Sequence, residues 1–350
     1  MEGIAKTEDQ TGVELVEWAI PEPVDDEVLI KVTVAGICGS DLNLYRWRET
    51  ERAQLHAGRM TLPFIIGHEF CGIVESTGPQ VRHLRPGDRV AGETHVPCMN
   101  CYVCQTGNPH ICPHMQLIGR QVTGSLAEYT KVPEIGLYKV PSALNDHEVA
   151  LLEPLGVAVN AVEKAHVPGD TALITGCGPI GLMSIAVAKA MGASMVVATS
   201  RTDTKLEKAR AMGADVVFNA DDPNCVARIR ETVKREGVGA VIEMSGSQEA
   251  ISQGLGCIRC AGRFVQVGTP AAPVTVELVG SVMHKEVEII GVFGRRMWNT
   301  WITAKDLLAR ERVRTDLIMG GDYRLNDYEK AFEEAFSGLA GRTFFTPHAA

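Results

Sequence analysis

The feature that most constrains the fold is Gly176-Cys177-Gly178-Pro179-Ile180-Gly181, which directly follows the apolar run Ala172-Leu173-Ile174-Thr175 and opens a helix-length segment. In that context a G-x-G-x-x-G gives a tight turn, lets backbone approach a pyrophosphate and packs helix close to strand, while the helix N-terminus presents N–H groups to the phosphates. The pattern then repeats as strand, turn and helix. Strands are expected at Ala172–Thr175, Met195–Thr199, Val216–Asn219, Ala240–Met244, Arg263–Gly268 and Glu286–Gly294, with a helix from Asp203 to Met212. This half reads as a parallel sheet wrapped by helices.

From residue 12 to about 150 the texture differs: short apolar or alternating strands such as Val28-Leu29-Ile30-Lys31-Val32 are broken by Gly, Pro and Asp. That segment reads as mostly β. Beyond the repeats, Trp298–Ala309 and Asp327–Ser337 are amphipathic helix candidates expected to return to the first domain. The expected division is therefore 1–153 with 295–350, and 154–294 for the nucleotide domain. A chain of 350 residues, 45% hydrophobic and with 35 glycines, has the material for two cores.

Cys98, Cys101, Cys104 and Cys112 form a cluster with the spacing of a four-thiolate zinc lobe, about 93–115. Such a site is closed to substrate, so its metal holds a loop and the chemistry lies elsewhere. Met1 to Gln10 is polar and acidic, unlike a secretory signal, so the expected compartment is the reducing cytoplasm, where this spacing favours metal over disulfides. Cys71, Cys177, Cys225, Cys257 and Cys260 show no partner pattern; Cys257-x-x-Cys260 reads as a buried helix face.

The formal charge of −9 without a long basic run argues against nucleic acid as a partner, and no apolar stretch approaches the roughly 20 residues of a membrane span. The coenzyme is read at the end of the second strand, where an acid would accept the ribose 2′-hydroxyl of NAD. Here the residues are Thr199-Ser200-Arg201, with Lys205 one helical turn on. Ser200 is small and neutral and Arg201 carries a fork suited to phosphate, which favours NADP(H) over NAD(H). The alternatives are that Asp203 reaches back to a ribose, or that Arg201 is a solvated surface charge.

Cys38, His68, Glu69 and Glu153 remain as candidates for a second metal, a mixed set of the kind a catalytic zinc uses when one position must stay exchangeable. Singly each has a plainer reading: core cysteine, satisfied loop histidine, helix-start charge.

Taken in order, Cys38-Gly39-Ser40-Asp41, Gly67-His68-Glu69, Pro86-Gly87-Asp88-Arg89-Val90, the cysteine lobe, Glu153-Pro154-Leu155 and the glycine turn resemble the zinc-containing medium-chain dehydrogenase/reductase family over nearly the whole chain. The resemblance implies a GroES-like catalytic domain, a doubly wound Rossmann domain and two zincs per chain. It implies Cys38, His68 and a carboxylate, Glu69 or Glu153, at the catalytic zinc, and a secondary alcohol or ketone as substrate. Ser40 would begin the proton path, His95 would face the substrate and Arg295 would contact the coenzyme pyrophosphate. A homo-dimer or homo-tetramer follows from the family rather than from any motif.

Within the family the likeness is nearest to the threonine 3-dehydrogenases, through Gly92-Glu93-Thr94-His95, Glu243-Met244-Ser245-Gly246 and Gly294–Trp301. Four departures accompany it: Asn43 in place of a titratable relay histidine, Val157 in place of Asn, Arg296 in place of an acid, and Ser200-Arg201 against an NAD preference. A threonine-like amino alcohol is the expected substrate, with a polyol, cyclitol or vicinal diol as the alternative. A non-catalytic NADPH-binding protein is the remaining reading.

Overall fold

The expected strand at Val28–Val32 lies inside Glu27–Gly36, the longest strand of the computed structural model, which describes residues 1–234, 236–338 and 341–348. Seven of its ten residues are buried, and partners occupy both its edges. Glu69–Thr77 runs antiparallel along one edge with Gly36 opposite Glu69; Tyr129–Pro133 and then Arg342–Phe345 share the other. Arg89–Gly92 and Leu137–Lys139 extend the sheet on one side and Met319–Tyr323 on the other. Val28, Ile30, Val32, Phe70, Phe332 and Phe345 lie in one buried cluster over it. This first unit comprises Met1–Glu153 and Met319–Ala350.

The second unit, Pro154–Ile318, carries six parallel strands. Their spatial order is Val216–Asn219, Met195–Ser200, Thr171–Thr175, Val238–Glu243, Ile258–Gln266, Glu288–Gly291. Strand order reverses between Thr171–Thr175 and Val238–Glu243, the place where a doubly wound sheet opens a crevice for ligands.

Two expectations are corrected. The segment 295–318 lies in the second unit, not the first. Asn160, on the helix Leu152–Ala165, donates its amide to the Gly294 carbonyl at 3.0 Å, and Trp301 of the helix Asn299–Ala309 is fully buried. The Cys257/Cys260 pair is not a helix face: the helix Gln248–Cys257 stops where Ile258 turns extended to pair with Val238, leaving Cys257 buried and Cys260 exposed in a strand.

Candidate active site and nucleotide site

Cys38 ends the turn after Glu27–Gly36 and caps the helix Gly39–Arg46, its backbone N–H donating to Asp41 Oδ2 at 2.8 Å. Gly67, at φ +95°, turns the chain so that His68 and Glu69 enter the next strand; a Cβ there would come within 2.5 Å of the Leu126 side chain. Opposite Glu69 stands Gly36, where a Cβ would lie 3.0 Å from Glu69 Oε2, so the missing side chain makes room for the carboxylate. One ligand atom each from Cys38, His68 and Glu69 lies within 4.8 Å of the others.

Both Glu69 carboxylate oxygens are buried without a hydrogen bond among the described residues, with Arg342 Nε 3.2 Å from Oε2. Burial pushes the Glu69 carboxyl well above its ordinary range, opposed by the Arg342 guanidinium. Buried carboxylate oxygens that make no hydrogen bond are rare. A thiol, an imidazole and such a carboxylate converging on one point are the donor set that zinc accepts.

Glu153, second residue of the helix Leu152–Ala165, brings Oε1 to 3.9 Å from His68 Nε2, and the same oxygen accepts a hydrogen bond from Thr94 Oγ1. It adds no atom within 4.8 Å of all three others. His95 is buried with Nδ1 2.7 Å from Glu93 Oε1; with the proton assigned to Nδ1, the ring keeps Nε2 as an acceptor. Ser40 and Asn43 are half-buried on the Gly39–Arg46 helix, and no side-chain hydrogen bond ties them to the cluster among the described residues. Asp41, Glu93, Thr94 and Arg342 were not singled out as site residues from the sequence. The first three stand inside quoted motifs and were findable by asking which donor each acid or hydroxyl serves; Arg342 carries no local signal.

In the lobe, Cys98 and Cys112 Sγ are 3.5 Å apart, Cys101 and Cys104 3.5 Å, and Cys101 and Cys112 3.8 Å. Disulfide sulfurs would be about 2.05 Å apart. Four sulfurs at about 2.3 Å from one zinc stand about 3.8 Å apart, so these thiols fit a closed tetrahedral site. Backbone N–H groups of Asn100 and Cys101 aimed at Cys98 draw its thiol down to about 6, whereas burial raises Cys104 to about 12.

The strand Thr171–Thr175 feeds Gly176, at φ +92°, and the helix Pro179–Ala190. A Cβ on Gly181 would lie 1.9 Å from the Gly176 carbonyl oxygen, so this contact admits glycine alone; around Gly178 the space is open. Pro179 is the first helical residue and Ile180, half-buried, the second. A cavity of about 390 Å³ is lined by Gly176, Gly178, Ser200, Arg201, Lys205 and Gln253 among others. Neither Arg201 nor Lys205 has a carboxylate ion-pair partner among the described residues. Asp203 is not in the lining, whereas Asp221 and Glu249 are. Glu243, fully buried, accepts from Ser245 N at 2.7 Å, Gly246 N at 2.9 Å and Gln266 Nε2 at 2.7 Å, which fixes the 244–247 loop on the cavity wall. Arg295, expected at the pyrophosphate, is absent from this lining and lies buried with its aliphatic stem against Gly156.

Residues 24–142 match the alcohol dehydrogenase GroES-like domain and residues 179–310 the zinc-binding dehydrogenase domain. The L-threonine 3-dehydrogenase of Bacillus velezensis is 39% identical over 348 residues, 99% of each chain. The chain belongs to the zinc-containing medium-chain dehydrogenase/reductase family. This dehydrogenase is similar throughout to solved relatives. Galactitol-1-phosphate dehydrogenase of Escherichia coli matches with a TM-score of 0.89 at 25% identity, covering 99% of this chain and 100% of that one. The 2R,3R-butanediol dehydrogenase of Bacillus subtilis matches with a TM-score of 0.88 at 26% identity, covering 99% of each. The dehydrogenase is thus a zinc enzyme of alcohol substrates with a GroES-like and a Rossmann domain, using a nicotinamide coenzyme. No described helix is long and apolar enough to cross a membrane.

Proposed function

We propose that this dehydrogenase interconverts a secondary alcohol and its ketone with NADP(H), and that its substrate is a threonine-like amino alcohol. The observation that carries the reading is the convergence of Cys38, His68 and Glu69, whose two buried carboxylate oxygens make no hydrogen bond among the described residues.

Cys38, His68 and Glu69 or Glu153 would hold the catalytic zinc, and Cys98, Cys101, Cys104 and Cys112 the structural one. Bound at the first site, zinc supplies the positive charge that makes a substrate hydroxyl acidic near neutral pH. The nicotinamide supplies the hydride acceptor. Arg342, beside Glu69, offsets one negative charge of the ligand set. Asp41 accepts a hydrogen bond from the Cys38 N–H and so steadies that ligand's turn, while its Oδ1 faces His68 Nδ1 at 3.8 Å without a hydrogen bond among the described residues. Ser40 offers the first hydroxyl for the departing proton; Asn43 does not titrate, so the next carrier is water. His95, fixed by Glu93, faces the substrate. Gly176, Gly178 and Gly181 seat the pyrophosphate at the N-terminus of Pro179–Ala190, and Arg201 with Lys205 takes the 2′-phosphate.

A second copy of the chain is the expected partner, giving a dimer or tetramer. Glu288–Gly291 is one of the two edge strands of its sheet, and Leu278, Val279, Met283 and Phe293, near it in sequence, are each more than half exposed. The cytoplasm is the proposed compartment.

A second reading, a polyol, cyclitol or vicinal diol as substrate, is favoured by Val157, a position where the resemblance to threonine dehydrogenases would usually imply Asn. The kcat/KM values for L-threonine and for 2,3-butanediol with NADP⁺ separate the two. The amino-alcohol reading predicts the higher value for L-threonine; a higher value for the diol replaces it with the second.

A further inference from the structure

Glu69 and Glu153 both stand near His68, yet their surroundings differ. The Glu69 oxygens make no hydrogen bond among the described residues and lie beside the Arg342 guanidinium, whereas the Glu153 oxygen that faces His68 is the one capped by the Thr94 hydroxyl. Thr94 is itself immobilised. Its carbonyl accepts from Ile118 N at 3.0 Å, and its neighbour His95 pairs with Leu117 in a two-stranded ladder. Glu153 is carried near the start of a helix, which fixes its backbone.

We propose that Thr94 is a positioning residue that keeps Glu153 at the margin of the metal cluster, so that Glu69 completes the resting ligand set. This inference rests on the reading of Cys38, His68 and Glu69 as metal ligands. A hydroxyl donating to Oε1 engages a lone pair that a metal would otherwise take, and it sets the carboxylate rotamer. Without that donor, the Glu153 oxygen that already faces His68 would be open to the metal as an additional ligand, in competition with a substrate oxygen. Serine supplies the same donor, and valine copies the shape of threonine without it.

The test replaces zinc with cobalt(II) and compares visible spectra and turnover for the full-length protein, T94V, T94S, E153A and T94V/E153A. The lobe contributes equally to every spectrum and cancels in the differences. The wild type should bind two cobalt ions per chain. In T94V the d–d absorbance should fall, as it does when an extra oxygen ligand raises the coordination number, and kcat should drop about tenfold, the size usual for loss of a group that orients a metal ligand. T94S should keep the wild-type spectrum and a kcat within about twofold of it. The double variant should match E153A, because the effect of Thr94 passes through that carboxylate.

Three results overturn the inference. A T94V spectrum and kcat equal to wild type remove the latch while leaving the metal-site reading standing. A T94V change that persists in the E153A background shows that Thr94 acts by another route. Uptake of a single cobalt by the wild type removes the metal-site reading, and the latch with it.

Discussion

At the residue scale, the coenzyme reading rests on two adjacent side chains. Ser200 is buried as the last residue of its strand, and Arg201 follows it into solvent at the cavity. A guanidinium without a carboxylate partner is available for a phosphate, and a charge-assisted hydrogen bond of about 1.5–3 kcal/mol corresponds to roughly 10- to 150-fold in affinity. R201A should therefore raise the KM for NADP⁺ at least about tenfold and leave that for NAD⁺ within about twofold, read from steady-state kinetics with both coenzymes. Equal losses would place Arg201 outside the 2′-phosphate site. Metal-directed residues were legible in the sequence because few residue types bind zinc and their spacing is restrictive. Arg342 was not, since only long-range pairing of its strand with Glu27–Gly36 brings it to Glu69. The place of Arg295 at the pyrophosphate came with the family resemblance and from no local signal; in the fold its stem packs against Gly156.

At the scale of elements, the helix that begins at Cys38 is steadied from its far end. Tyr45 packs against Phe332 in a tilted pair and against Phe336 edge-on, both of Tyr328–Ser337, with ring centroids 5.1 Å apart in each pair. A second device stabilises the loop ahead of Arg89–Gly92, where Glu134 accepts the N–H groups of Arg82 at 3.0 Å, His83 at 2.7 Å and Leu84 at 2.9 Å. Burial raises the Glu134 carboxyl, but the three N–H donors outweigh it and hold the group below its ordinary value. Because the folded value lies below the unfolded one, this stability is present above about pH 4.3 and is lost as pH falls through the depressed value. E134Q should destabilise by about 1–2 kcal/mol at pH 7, the exposed setting moderating the figure, and the gap to wild type should close below about pH 4 in urea titrations. A constant gap across that range would show that charge at Glu134 is irrelevant. Strand existence was legible from apolar runs bounded by Gly, Pro and Asp; strand ends were not, because partner pairing sets them. Ile258–Gln266 starts five residues before the expected Arg263 because Val238 offers Ile258 a partner.

For the whole molecule, the first unit closes only when Met319–Tyr323 and Arg342–Phe345 join a sheet begun near the N-terminus, so both chain ends build the unit that holds Cys38, His68 and Glu69. The two-unit plan was legible from the change in texture near residue 154. The return to the first unit comes at Met319 rather than 295, and the amphipathic pattern of Asn299–Ala309 suits either unit. The central claim is a zinc dehydrogenase that takes NADP(H) and an amino alcohol. Its most direct test is the initial rate of coenzyme reduction by L-threonine on protein shown to hold two zincs, with NADP⁺ and NAD⁺ at matched concentrations. The account predicts sustained turnover that is faster with NADP⁺. No turnover with either coenzyme, or turnover faster with NAD⁺, would contradict it.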